Sequence, residues 1–377
     1  MTLWLWLAAG PAILLAAVSL WAERRRAAYV RHGLAAKTPA PPPATLIVPV
    51  KGPDEGLREN LAALAAQDYP DYELIVAAAT GWDIPPGVLP SGVKVVLGRR
   101  EPSAAGEKVQ NLAAGVRASR KRSQLLAFAD SDGRVGRGWL RALAAPLAGP
   151  GVGAATGYRW HVPEPAGCWS LLRSAWDAVV AGTLGPAPCR FAWGGAMAIR
   201  KETFFETHVA EFWKTAVSDD YALSAAVRRA GLHIVFAPGA MAASPERVAA
   251  GGFFRWTRRQ LLITRVHAPG LWWQALAAHA VYGAGMAAGV AALALGRPEG
   301  ALALAAQLVP GMLKGAWRAR LARQAMPEQA GWFRRHGWAY GWCAPLVTWL
   351  WLAALAASAF GRAISWRGRA YTLRRGW

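Results

Sequence analysis

Acidic residues are scarce in this chain, 22 Asp+Glu against 43 Lys+Arg, yet two pairs of them stand where side chains can do chemistry. Asp130 and Asp132 lie in FADSDGRVG, directly after the apolar run 124–129. Two carboxylates one residue apart can face one hard cation, and Mg²⁺ takes one or two carboxylates together with substrate phosphates. Asp-Ser-Asp-Gly is also good turn chemistry, so the stretch alone reads as a metal–diphosphate site or as a solvated turn. The second pair is Asp219-Asp220, in AVSDDYALSAAVRRAGLHIVFAP. Acids favour helix N-termini; Ser218 or Asp219 can cap the following helix, which Gly231 would end. The other reading makes one of the pair a general base within reach of an acceptor hydroxyl. A third stretch, FFRWTRRQ at 253–260, puts aromatic and Arg residues where a membrane boundary would anchor them. Alternatively, Arg255 binds a phosphate leaving group and Trp256 covers an acceptor channel.

The elements that would position these residues follow from periodicity. Short β-branched or apolar runs at 45–50, 72–77, 93–97, 124–129 and 152–158 read as strands, and 57–67, 108–118 and 138–147 read as helices. Strands alternating with helices imply an α/β domain with a doubly wound, mostly parallel sheet. In such sheets ligands bind beyond the carboxyl ends of the strands, which is where Asp130 and Asp132 fall.

The chain has 377 residues, is 54% hydrophobic, contains 21 Trp and carries a formal net charge of +21. Trp favours the headgroup interface, so a membrane is the expected partner. No zinc-finger spacing, RNP motif or basic heptad region supports nucleic acid as the partner of the basic charge. Residues 3–21 carry no charge and, at ~1.5 Å rise per residue, can just span a hydrocarbon core of ~30 Å. No Lys or Arg precedes this run and Arg24-Arg25-Arg26 follows it. The run therefore reads as a signal anchor with residue 24 onward in the cytoplasm. KTPAPPPA at 37–44 reads as a Pro-rich linker. Toward the C-terminus, 271–295 and 338–360 are long and apolar, 301–313 is apolar but short, and a basic loop lies between the last two. The positive-inside rule puts that loop in the cytoplasm. A third C-terminal crossing would then carry the basic tail outside, so one of these segments is interfacial or re-entrant, or the count is three to four spans in all. Cys168, Cys189 and Cys343 fit no metal or disulfide spacing and read as unpaired thiols in a reducing compartment.

Taken in order, the motifs resemble those of family 2 glycosyltransferases, which have the GT-A fold. The resemblance is greatest to the ceramide glucosyltransferase-like branch, which includes bacterial hopanoid-associated transferases. LIVPVKGPDEGLRENLAALAAQDYPDYELIV is similar to that branch's N-terminal signature, and GEKVQNL, with Lys108 and Asn111, to its Lys-x-x-Asn-Leu. ADSDGRVG resembles its metal-binding element, WGGAMAIRKETF the segment after its acceptor loop, and SDDYALSAAVRRAG the motif that supplies the catalytic base. FFRW resembles the end of Gln/Arg-x-x-Arg-Trp, and ISWRGRAYTLRRG the closing segment.

The resemblance implies domains at 1–23 (anchor), 24–44 (basic and Pro-rich linker), 45–262 (GT-A catalytic domain), 263–361 (C-terminal membrane region, two to three helices) and 362–377 (basic tail). It implies a metal-dependent hexosyltransferase of the inner membrane. A sugar would pass with inversion from a nucleoside-diphosphate donor, UDP above all, to a ceramide- or hopanoid-like lipid hydroxyl on the cytoplasmic side. Asp132, helped by Asp130, would hold Mg²⁺ or Mn²⁺, and Asp220 would be the base with Asp219 beside it. Lys108, Asn111 and Arg255 would contact the donor, and Trp256 would line the acceptor entrance. Two departures stand out: Gly252 occupies the first position of Gln/Arg-x-x-Arg-Trp, and no Asp directly follows the second strand, which leaves Glu55 or the displaced Asp83 to read the donor base. A processive polysaccharide synthase and a decayed, non-catalytic membrane protein are the competing readings.

Overall fold

A computed structural model describes residues 3–36, 40–98 and 104–374. The first helix, α1, runs over Leu3–Ala35. It does not stop at the arginines. Residues 24–35, expected to be linker, are rich in the good helix formers Ala, Arg and Leu and are seated on the α/β domain, where the Tyr29 hydroxyl donates to the Phe236 carbonyl at 2.6 Å. Of the expected Pro-rich linker, residues 37–39 lie outside the described residues.

The α/β domain begins with β1 (Ala44–Pro49), α2 (Leu57–Ala65), β2 (Tyr72–Ala78), β3 (Lys94–Leu97), α3 (Glu107–Arg117) and β4 (Leu125–Ala129). It continues with β5 (Arg134–Val135), α4 (Trp139–Ala144), β6 (Val152–His161), α5 (Cys168–Ala181) and β7 (Ala196–Arg200). The helices α6 (Lys201–Glu206), α7 (Val209–Trp213) and α8 (Asp219–Arg229), then β8 (His233–Ser244) and α9 (Ala250–His267), complete it. The sheet order is β3-β2-β1-β4-β7-β6-β8-β5. The pairs β1–β2, β1–β4, β2–β3 and β6–β8 are parallel. Strand β7 enters antiparallel between β4 and β6, and β5 is antiparallel to β8. The result is a mixed, mostly parallel sheet. The antiparallel β7 is the part that periodicity does not announce, since AMAIR is a short apolar run without alternation.

Both faces of the sheet are covered. Strand side chains alternate faces, so Ile47, Ile75 and Phe128 pack with Trp176, Trp213 and Leu223, while Leu46, Val48 and Leu125 pack with Leu61, Trp139 and Leu140. Register slips between Thr156 and Tyr158 where β6 meets β8. A Cβ on Gly157 would fall 1.8 Å from the Ala240 carbonyl oxygen, so only glycine allows that approach. Irregularities of this kind re-aim side chains, and the next two residues, Tyr158 and Arg159, both line the central cleft.

The C-terminal region comprises α10 (Pro269–Ala294), α11 (Glu299–Ala325), α12 (Ala330–His336), α13 (Ala339–Trp342) and α14 (Ala344–Ser358). Among the described residues, α1 and α10 are the helices long and apolar enough to cross a membrane by length and composition. Small residues let α1, α10 and α11 pack closely: a Cβ on Gly289 would lie 2.6 Å from Leu304, and one on Gly285 would lie 2.8 Å from the Ala12 side chain. The apolar stretch expected at 338–360 is not one helix. It breaks between Trp342 and Ala344, ahead of Pro345. The chain ends in a hairpin, β9 (Ala363–Trp366) and β10 (Arg369–Thr372). Arg367 and Gly368 both have positive φ, 47° and 75°, as the favoured two-residue hairpin turns require. Ile364 and Leu373 bury against Val217, Leu262 and Val266, so the part of the expected basic tail up to residue 374 is a folded strap on the α/β domain, and residues 375–377 lie outside the described residues.

Candidate active site

The loop after β4 brings Asp130 and Asp132 to the carboxyl edge of the sheet. Ser131, between them, donates to Asp54 Oδ2 at 2.5 Å, and Asn60 Nδ2 donates to the Ser131 carbonyl at 3.0 Å. These contacts fix the loop and turn both carboxylates inward. There they meet Arg159, which reaches Asp132 Oδ1 and Oδ2 at 3.0 Å each and Asp130 Oδ2 at 3.1 Å. Burial works against the Arg159 charge, but the two carboxylates outweigh it and raise its pKa. Burial pushes Asp132 up, against the pull of Arg159. Asp130 is also opposed by burial, yet Lys108 and Arg159 together hold it low.

Lys108, in the first turn of α3, ties the two acidic pairs together. Its Nζ lies 2.8 Å from Asp130 Oδ1 and 3.0 Å from Asp219 Oδ1. Burial opposes the ammonium charge, and Asp130, Asp219 and Asp220 more than compensate, so its pKa is raised. Asp219 is buried, with Oδ2 lacking a hydrogen-bond partner among the described residues, and burial raises it to about 6 against the opposing Lys108. Asp220 is held differently. It accepts from the Ser218 hydroxyl, from the Tyr221 N–H at 2.7 Å and from the Gly194 N–H at 3.2 Å. A Cβ on Gly194 would lie 2.5 Å from Asp219 Oδ2 and 3.0 Å from Lys108 Nζ, and one on Gly195 would lie 2.6 Å from Asp130 Oδ2. The Gly-Gly of WGGAMAIR therefore lets the backbone touch both acidic pairs at once.

Asn111, one turn after Lys108, is buried and lines the same cleft. Trp256 lines it too, and its ring packs edge-on against Trp176 and His161 at 5.5 Å and 5.4 Å between centroids. Beside it, Asp177 accepts from the Tyr158 hydroxyl at 2.9 Å, and burial raises it to about 6.

Three expected residues are not at the site. Arg255 is exposed and outside the cleft. The reason is helical phase: the α9 stripe facing the cleft is Trp256, Arg259, Gln260, Ile263 and Thr264, the i, i+3, i+4, i+7, i+8 face, and Arg255 falls just beyond its edge. Arg259 takes the inward place, with its guanidinium over the Trp366 ring at 5.9 Å and its pKa lowered by burial and then by Arg159. Gly252, where the motif would have a polar residue, packs close to Val248. Glu55 is exposed and faces Arg247 at 3.9 Å. Asp83 turns back on its own loop, where Oδ2 accepts from the Thr80 N–H at 2.9 Å and hydroxyl at 2.8 Å. A buried carboxylate that motif reading passed over, Glu107, does line the cleft. Its Oε2 meets Lys51 at 2.8 Å and Arg369 of the hairpin at 2.9 Å, while its Oε1 has no hydrogen-bond partner among the described residues. Arg367 joins the same wall, donating to the Lys51 carbonyl at 2.6 Å and to Asp54 Oδ1 at 2.5 Å.

Asp130 and Asp132 can both reach one cation, as the shared Arg159 shows. Among the described residues no group of three or more His, Cys, Asp and Glu could hold a metal alone. This donor set fits Mg²⁺ or Mn²⁺, which accept few carboxylates when substrate phosphates complete the shell. The whole arrangement opens into one cavity of about 700 Å³ that continues past Trp256 to Leu15, Ser19, Leu308 and Lys314 of the helical region.

No curated protein sequence matches the chain. Among solved structures, the chain is similar to a mannosyltransferase from Pyrobaculum calidifontis in complex with GDP-Man and Mn²⁺, at 20% identity and TM-score 0.47, covering 86% of this chain and 99% of that one. It is also similar to GalNAc-T7 with UDP, GalNAc and Mn²⁺, at 14% identity and TM-score 0.41, covering 60% and 48% of the two chains. A third is glucosyl-3-phosphoglycerate synthase from Mycobacterium tuberculosis with Mn²⁺ and UDP, at 16% identity and TM-score 0.35, covering 59% and 77%. The model of glycosyl transferase family 21 matches residues 4–377, essentially the whole chain, and the protein belongs to that family.

Proposed function

We propose that this glycosyltransferase moves one sugar, with inversion, from a UDP-sugar to the hydroxyl of a membrane lipid. The observation that carries the reading is the single cavity joining the Asp130–Asp132–Lys108–Asp219–Asp220 cluster to the helices α1, α10 and α11. In this reading Asp130 and Asp132 hold Mg²⁺ or Mn²⁺, which when bound offsets the charge developing on the departing diphosphate. Lys108 and Arg259 face the same diphosphate, where Arg and Lys make strong charge-assisted contacts. Asp220 takes the proton of the acceptor hydroxyl. The freed oxygen attacks the anomeric carbon from the face opposite the diphosphate, whose bond to that carbon breaks. Asp219, tethered by Lys108, keeps the first turn of α8 in place behind Asp220. The Gly194 N–H and Ser218 hydroxyl aim the Asp220 carboxylate. Glu107, with its unpaired oxygen and its supports Lys51 and Arg369, replaces Glu55 and Asp83 as the reader of the donor base.

The membrane arrangement belongs to the same proposal. Helices α1, α10 and α11 cross, and α14 does not: its 15 residues rise ~22 Å against a core of ~30 Å. With α14 lying at the interface, the hairpin remains on the catalytic side, where Arg367 and Arg369 already contact the cleft. That placement removes the conflict between the basic loop and the basic tail under the positive-inside rule. The test is UDP release by purified protein from UDP-glucose, UDP-galactose or UDP-GlcNAc with Mn²⁺ and lipid extract. Asp220→Asn should lose turnover and keep Mn²⁺-dependent UDP binding; unchanged turnover would remove Asp220 as the base.

A further inference from the structure

At its helical end the cavity carries more positive charge than the protein neutralises. Glu23 of α1 is buried, and both its oxygens are taken: Oε1 by Arg26 Nη1 and Oε2 by Arg318 Nε, each at 2.8 Å. Lys314, one turn before Arg318 on α11, has no carboxylate within ion-pair distance among the described residues. Its one hydrogen bond goes to the Ser19 hydroxyl at 2.5 Å, and it lies 5.6 Å from the Tyr282 ring centroid. Two cations therefore share the one carboxylate, and Lys314 stands beside them without one. Ser19 has no further capacity, because it donates to the Ala16 carbonyl and is also bonded to the Tyr282 hydroxyl at 3.2 Å.

These groups do not face bulk lipid or water as interfacial anchors do. Lys314, Arg318, Glu23, Ser19 and Tyr282 all line the cavity, and the Arg318 side chain is only 15% exposed. Arg318 enters over Gly182 of the catalytic domain, where a Cβ would lie 2.4 Å from its guanidinium carbon. With Nε spent on Glu23, both terminal amino groups of Arg318 remain without a partner among the described residues, as do two of the three N–H donors of Lys314. Unpaired charge at this depth is costly, and ionisable groups facing the interior of a helix bundle mark ligand sites. A forked guanidinium beside an ammonium suits a phosphate. The neighbouring lining, Leu15, Met286 and Leu308, is apolar and suits acyl chains.

We propose that Lys314 and Arg318 bind the phosphate of an anionic glycerophospholipid whose tails lie among α1, α10 and α11 and whose hydroxyl-bearing head points toward Asp220. This rests on the lipid-acceptor reading and sharpens it: the lipid that enters is phosphate-bearing, where the family resemblance alone points to a neutral acceptor. The phosphate sits between tails and head, which matches a charged subsite lying between the apolar lining and the acidic cluster.

The test uses the full chain in detergent, without donor, so that its outcome does not depend on sugar transfer; UDP release is measured separately. Retention of phosphatidylglycerol, diacylglycerol and ceramide is read by native mass spectrometry. We expect phosphatidylglycerol to be retained in preference to both neutral lipids. Lys314→Gln, which leaves the Glu23 pairs intact, should weaken that retention by roughly tenfold or more, as loss of one charge-assisted contact implies. Lys314→Arg, which keeps the charge, should preserve it and guards against misreading a folding defect. Equal retention of neutral lipids, or full retention by Lys314→Gln, would overturn the proposal. So would inorganic phosphate displacing phosphatidylglycerol at millimolar concentration, because the site would then serve a free anion.

Discussion

If Asp130 and Asp132 hold the divalent cation as proposed, Arg159 occupies the place that cation needs, and removing it should tighten metal binding. Its guanidinium makes three contacts with the two carboxylates, at 3.0, 3.0 and 3.1 Å, and its side chain is only 12% exposed, which limits screening by water. A metal ion binding without donor must first displace those contacts. A hydrogen bond to a charged group is worth about 1.5–3 kcal/mol net, and each 1.4 kcal/mol is a factor of about ten. Arg159→Gln should therefore raise Mn²⁺ affinity in the absence of nucleotide by about tenfold to a hundredfold. Isothermal titration of the purified protein measures this directly. Unchanged or weaker Mn²⁺ binding would show that Arg159 and the metal do not share a place, and the two-carboxylate site would have to be abandoned.

Three further outcomes follow from the geometry. Glu107→Gln should raise the KM for the UDP-sugar and reduce discrimination against a GDP-sugar by roughly tenfold or more, with Mn²⁺ affinity unchanged; steady-state kinetics with both donors decides it. Arg259→Ala should cost about a hundredfold in kcat/KM, as loss of a charge-assisted phosphate contact implies, while Arg255→Ala costs less than about twofold; the reverse order would restore the motif position to the site. Gly194→Ala forces a methyl against Asp219 and Lys108 and should abolish UDP release while thermal unfolding shifts by no more than a modest core overpacking, about 1–3 kcal/mol.

Much of the site is legible in the sequence because its chemistry is written in rare residues. In a basic chain the pairs Asp130–Asp132 and Asp219–Asp220 stand out, and the alternation of strands and helices locates the first pair at a strand's end. Lys108, Asn111 and Trp256 likewise fall where the motifs place them. What the sequence does not disclose depends on tertiary geometry. Arg159 lies within an ordinary strand, and only the irregularity at Gly157 aims it inward. Arg259 displaces Arg255 because helix phase is set by how α9 docks, which the order of letters in FFRWTRRQ leaves open. Glu107 gains its place in the cleft wall beside Arg369 only when a hairpin more than 250 residues later folds back beside it. The helix 24–35 was hidden for a related reason: its charges resemble a linker until β8 offers Tyr29 a surface.

The central claim is that one cavity brings a nucleotide sugar and a membrane lipid together. Mass spectrometry of lipids from cells with and without the protein tests it most directly. We expect a lipid heavier by one hexose or one N-acetylhexosamine, present with the intact chain and missing with Asp220→Asn. Identical lipid profiles in the two, or a long glycan polymer in place of a singly glycosylated lipid, would contradict it.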